Sequence, residues 1–81
     1  MEIKILGSGC ANCMKLEKVT KEGIKELGIE AHVEKIEDMQ RIMSYGVMST
    51  PALVINGVVK LTGKVPNKAR IIEILEKETE A

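Results

Sequence analysis

The stretch Gly7-Ser8-Gly9-Cys10-Ala11-Asn12-Cys13 constrains this chain more than any other part of it. It stands between a β-branched run, Ile3-Lys4-Ile5-Leu6, and a long segment with helical periodicity, so the backbone passes from strand to helix within it. It also holds both cysteines of the protein. On a helix that begins near Cys10, this spacing puts Cys10 at the N-terminus and Cys13 almost one turn further in. The outer sulfur then faces the unpaired N–H groups and the positive end of the helix dipole. That position favours the thiolate form. The inner sulfur lies within disulfide reach and is partly covered. One attacking and one resolving sulfur is what dithiol–disulfide exchange requires.

A C-x-x-C pair by itself also fits half of a zinc site or a metal-transfer loop. A four-ligand structural zinc site needs two further ligands, and the chain offers only His32 outside the pair. The order strand, glycine loop, C-x-x-C, helix favours redox chemistry. No metal and no organic cofactor is expected.

The 81 residues suffice for one small domain, 1–81, with a modest core. With 12 basic and 12 acidic residues the formal net charge is zero, which gives no argument for nucleic acid or an anionic membrane as a partner. Tyr45 is the single aromatic residue, so a stacking platform for single-stranded nucleic acid is missing and the core must be aliphatic. No apolar run reaches the length of a membrane span or a signal peptide, and the expectation is a cytoplasmic monomer. Thiols in that compartment are mostly kept reduced, which makes a C-x-x-C there catalytic or metal-binding rather than a structural staple.

Along the chain, Ile3–Leu6 reads as a central strand, and Ser8 as a candidate helix cap. From Ala11 to Leu27 the apolar period becomes helical, with Leu16, Val19, Thr20, Gly23, Ile24 and Leu27 on one face. Glu17 and Lys21 form an i,i+4 pair. Gly23 allows close approach to a sheet, and Gly28 suits the C′ position. Ile29–Ile36 alternates and reads as a half-exposed edge strand, with His32 on its polar side. Glu37–Tyr45 reads as a short helix capped by Asp38, with Met39, Ile42 and Met43 as an apolar stripe that packs in the core. Pro51 precedes the apolar strand Ala52–Ile55, Asn56-Gly57 is a hairpin turn, and Val58–Thr62 returns. Asn67 caps a last helix whose inner stripe is Ile71, Ile74 and Leu75. Glu73 and Lys77 form a second i,i+4 pair, and residues 78–81 fray. The order is β-α-β-α-β-β-α. It predicts an α/β fold: a parallel pair, an antiparallel hairpin, and a four-stranded mixed sheet flanked by helices on both faces.

On these residues the chain resembles the thioredoxin superfamily, in particular its small thioredoxin/glutaredoxin-like redox-active disulfide proteins. The resemblance rests on Gly9-Cys10-Ala11-Asn12-Cys13 after the first strand, on Val47-Met48-Ser49-Thr50-Pro51 leading into Ala52-Leu53-Val54-Ile55-Asn56-Gly57, and on Gly63. It implies a thioredoxin-like fold, Cys10 and Cys13 as the catalytic pair, and a motif loop of Gly9, Ala11 and Asn12. It also implies a cis Pro51 packed against the cysteines. Thr50 would then dock a substrate segment by strand addition. Partners implied are disulfide-containing proteins and an upstream reductase or small thiol.

The chain departs from that family at several places. Gly9 stands where thioredoxins have Trp, and Ala11-Asn12 where they have Gly-Pro. Lys4 occupies the place of a buried carboxylate, leaving Lys4 or water to handle the proton at Cys13. A metal-transfer module is a second reading. Metallochaperones of ferredoxin-like fold carry Met where this chain has Ser8, and a hairpin directly after the first helix. A redox-sensing interaction domain without turnover is a third, since it shares the sulfur chemistry.

Overall fold

The computed structural model describes residues 1–80. Its elements are β1 (Glu2–Leu6), α1 (Ala11–Leu27), β2 (His32–Ile36), α2 (Met39–Ser44), β3 (Ala52–Ile55), β4 (Val58–Thr62) and α3 (Lys68–Glu80). The sheet order is β2-β1-β3-β4. β1 pairs in parallel with β2 and antiparallel with β3, and β3 pairs antiparallel with β4. This is the mixed four-stranded sheet that the order of elements predicts.

Strand alternation divides the core between the two faces of the sheet. Ile3 and Ile5 of β1 and Leu53 and Ile55 of β3 point to one side, where they pack with Leu16 of α1 and Ile71, Ile74 and Leu75 of α3. Leu6, Ala52 and Val54 point to the other side and meet Ile36 and Ile42. All four residues of β3 are buried, as a strand covered on both faces requires. Each fully buried Leu or Ile contributes about 1.5–3 kcal/mol.

Local signals set the boundaries. Gly28 ends α1 in the left-handed conformation at φ 65°, its N–H bonded to the Ile24 and Lys25 carbonyls. Asn56 and Gly57 both have positive φ, 50° and 84°, which is what a two-residue hairpin turn needs. Asp38 caps α2 by accepting from the Gln40 N–H, and Asn67 Oδ1 accepts from the Arg70 N–H at 2.9 Å.

Several expectations are corrected. The helix cap at α1 is Cys10, whose side chain accepts from the Cys13 N–H, and not Ser8. Gly23 makes room for α3 rather than for the sheet: a Cβ there would lie 3.3 Å from Ile71 Cγ2 and Leu75 Cδ1. Glu73 pairs with Arg70 one turn back. The end of α3 is tied rather than frayed at Glu78, which holds Lys60 Nζ at 2.5 Å; the last residue of the expected frayed end, position 81, lies outside the described residues. Met39 and Met43 are not core residues, being 58% and 65% exposed. α2 has six residues and lays only Ile42 on the sheet, so its flanking methionines stay open to solvent.

Candidate redox site

The site is assembled at one end of the sheet from two loops. The first leaves β1 at Leu6. Its Gly7 N–H donates to the Ile36 carbonyl at 3.0 Å, which carries the β1–β2 pairing one residue beyond the strand. Gly9 then turns the chain at φ 85° into Cys10. The second loop runs from Val47 to Pro51 and enters β3. The Thr50–Pro51 bond is cis, as the resemblance implies. The Pro51 carbonyl accepts from the Gly63 N–H at 2.8 Å, so the end of β4 anchors this loop.

The two loops meet at Gly7. A Cβ at that residue would overlap Cys13 Sγ and lie 3.9 Å from Pro51 Cα. Gly7, Cys13 and Pro51 are therefore one packed unit, and all three are buried. Cys10 and Cys13 form a disulfide with their Cα atoms 5.0 Å apart.

The two sulfurs are not equivalent. Cys10 is exposed and stands at the N-cap, with its Sγ accepting the Cys13 N–H at 3.1 Å. Cys13 is 5% exposed. Backbone N–H groups at a helix N-terminus have no partner within the helix, and a sulfur held there is placed to use one when it carries negative charge. Ala11 and Asn12 lie between the cysteines on the exposed surface of the first helical turn.

Lys4 pairs with Val54 across the β1–β3 ladder. Its ammonium lies 6.0 Å from the Tyr45 ring centroid, on the sheet face covered by α2. His32 is exposed on the edge strand. Among the described residues no group of three or more His, Cys, Asp and Glu side chains is placed to hold a metal ion. None of the described helices is long and apolar enough to cross a membrane.

Two features at the site escape sequence reasoning. Gly7 is one, because its closeness to Cys13 is a tertiary contact; its place directly between β1 and the cysteine loop is the only local signal. The other is Glu37, whose carboxylate oxygen lies 3.4 Å from where a Cβ on Gly9 would stand.

A family model described as thioredoxin domain matches residues 1–76. A thioredoxin of Methanothermobacter thermautotrophicus is 47% identical over 75 residues, covering 93% of this chain and 97% of the relative. A thioredoxin of Methanocaldococcus jannaschii is 34% identical, covering 91% and 85%. A probable thioredoxin of Methanothermobacter thermautotrophicus is 36% identical, covering 88% and 86%. The family match over residues 1–76 takes in both loops of the site and all the strands that carry them. The chain belongs to the thioredoxin family and is a thiol–disulfide oxidoreductase.

Proposed function

We propose that Cys10 is the attacking sulfur and Cys13 the resolving one in the reduction of disulfides in partner proteins. The observation that carries this assignment is the difference in exposure: Cys10 is open at the helix N-cap and Cys13 is 5% exposed beneath it. Cys10 thiolate attacks one sulfur of the partner disulfide. A Cys10–partner bond forms, the partner's S–S bond breaks, and one partner thiolate leaves. Cys13 thiolate then attacks Cys10 Sγ, forms the Cys10–Cys13 disulfide and releases the second partner thiolate. Two electrons pass to the partner. An upstream reductase or small thiol returns them, and neither a metal nor an organic cofactor takes part.

Gly9, Ala11 and Asn12 shape the loop that presents Cys10. Thr50 and Pro51 dock the partner. Thr50 is exposed and precedes the β3 ladder, which starts at Ala52, so its backbone is at hand for an extended segment. Pro51 holds that edge against Gly7 and Cys13. The domain 1–81 works as a monomer in the cytosol, where thiol systems sustain such a cycle. The family match over residues 1–76 and the exposed Cys10 support this reading.

The test is a pair of variants incubated with disulfide-containing proteins. Cys13→Ser keeps the attacking thiolate and cannot resolve, so it accumulates a mixed disulfide that dithiothreitol releases. Cys10→Ser traps far less. Equal trapping by both variants refutes the assignment of roles. Loss of metal binding in both, without preferential trapping, returns the reading to a metal carrier.

A further inference from the structure

Among the described residues, the large apolar side chains left most open to solvent are Met14, Met39, Met43, Met48 and Val58. Buried methionine is ordinary, whereas a cluster of exposed ones needs an explanation. Three of the four converge on one feature. Met39 and Met43 of α2 and Met48 of the following loop line a groove of ≈ 350 Å³ together with Ile42, Val47 and Thr50. They are 58%, 65% and 100% exposed. Thr50 lines it too, so the groove opens beside the residue that leads into Pro51.

Methionine side chains are unbranched, flexible and polarisable, and they adapt to apolar partners of differing shape. A partner segment that lies along Thr50 to reach Cys10 passes this groove and sets an apolar side chain into it. The same thioethers are open to peroxide. Hydrogen peroxide transfers one oxygen to the sulfur: an S–O bond forms, the O–O bond breaks, the sulfur gives up two electrons and water is released. The product is a polar sulfoxide. In the disulfide form Cys10 and Cys13 present no thiolate to compete for the oxidant.

We propose that Met39, Met43 and Met48 form a peroxide-sensitive modification site that controls docking of protein disulfides at Thr50. The inference rests on the reading that the partner runs along Thr50. Oxidation turns the groove polar and weakens the seat of the partner's apolar side chain. It leaves the sulfur exchange between Cys10 and Cys13 intact.

The experiment oxidises the disulfide form with hydrogen peroxide, removes the peroxide with catalase and reduces the cysteines with dithiothreitol, which leaves sulfoxides in place. Peptide mass spectrometry should find one added oxygen on each of Met39, Met43 and Met48. Reduction of insulin should fall about fivefold, as expected for losing an apolar contact of roughly one methylene or more. Reduction of a small aromatic disulfide should fall far less. In Met39→Leu/Met43→Leu/Met48→Leu, the ratio of treated to untreated insulin rate should stay near one while Met14 still oxidises.

Full oxidation of the three methionines with an unchanged insulin rate overturns the proposal. So does a triple variant as sensitive as the parent, loss of helical circular dichroism on oxidation, or an untreated dimer that oxidation dissociates. If Pro51→Ala selectively slows insulin reduction while oxidation has no effect, this inference fails and the docking reading stands. If both treatments slow the two substrates equally, the docking reading itself falls.

Discussion

Gly7 stands where only a glycine fits against Cys13: a Cβ there would overlap Cys13 Sγ and lie 3.1 Å from Cys13 Cβ. The end of β1 is fixed by sheet pairing, and the N–H of Gly7 extends that pairing to Ile36. The resolving cysteine therefore rests on a rigid backbone wall. This contact explains why Cys13 is buried although it lies one turn from an exposed helix end.

Gly7→Ala should push Cys13 off that wall. Overpacking at a site this tight costs about 1–3 kcal/mol, read as a lower urea midpoint of the disulfide form. In the reduced protein Cys13 should become open to iodoacetamide. An unchanged midpoint, with Cys13 still protected, would show that the wall yields and that Gly7 is not what buries the sulfur.

The cysteines themselves should separate by rate. In the reduced parent protein, Cys10 should be alkylated about tenfold faster than Cys13 or more near neutral pH, because it is exposed and sits at the helix N-terminus. Peptide mapping after a short pulse of reagent measures the ratio directly. A faster Cys13 would reverse the roles assigned to the two sulfurs.

Pro51 joins three parts of the site: its carbonyl takes the Gly63 N–H, its Cα lies near Gly7, and Thr50 precedes it. Pro51→Ala loosens the edge that positions a partner. Exchange with a protein disulfide should slow about tenfold, while reaction with a small disulfide changes much less. Equal slowing of both substrates would mean that Pro51 serves the stability of the fold and not docking.

Much of this was legible in the sequence, and the reasons are local. The change of hydrophobic period after Cys10 marks α1, and Gly28 closes it because a left-handed residue at that point favours glycine. Asn56-Gly57 fixes the β3–β4 turn for the same reason. The cysteine pair is visible because its spacing and its helix-start position carry the chemistry together. What stayed hidden depends on which element covers which face. Periodicity groups Met39, Ile42 and Met43 on one side of α2, but a six-residue helix meets the sheet through Ile42 alone. Gly23 announces a close approach without naming α3 as the neighbour. Cys10 takes the cap because the chain turns at Gly9 and enters the helix there, and Ser8 is the better capping residue only by type.

The last prediction concerns the far end of the molecule and its response to acid. Glu78 of α3 holds Lys60 Nζ at 2.5 Å, where β4 bulges between its pairings with Leu53 and Val54. It also accepts from Asn56 Nδ2 at 3.5 Å, and Asn56 Oδ1 in turn accepts from the Glu2 N–H at 2.9 Å. The hydrogen bond from Lys60, with the attraction of its charge and the bond from Asn56, holds the Glu78 carboxyl below its ordinary value of 4.5. A carboxyl whose value is lower in the folded state stabilises the fold above its unfolded value, and that contribution is lost as pH falls through the folded one. Glu78→Gln should therefore lower the urea midpoint near pH 7. As pH falls below the ordinary carboxylate range, where the parent's own carboxyl takes up its proton, the gap between variant and parent should close. A gap that stays constant across this range would assign the effect of the substitution to packing of the hairpin against α3 and not to the charge that Glu78 shares with Lys60.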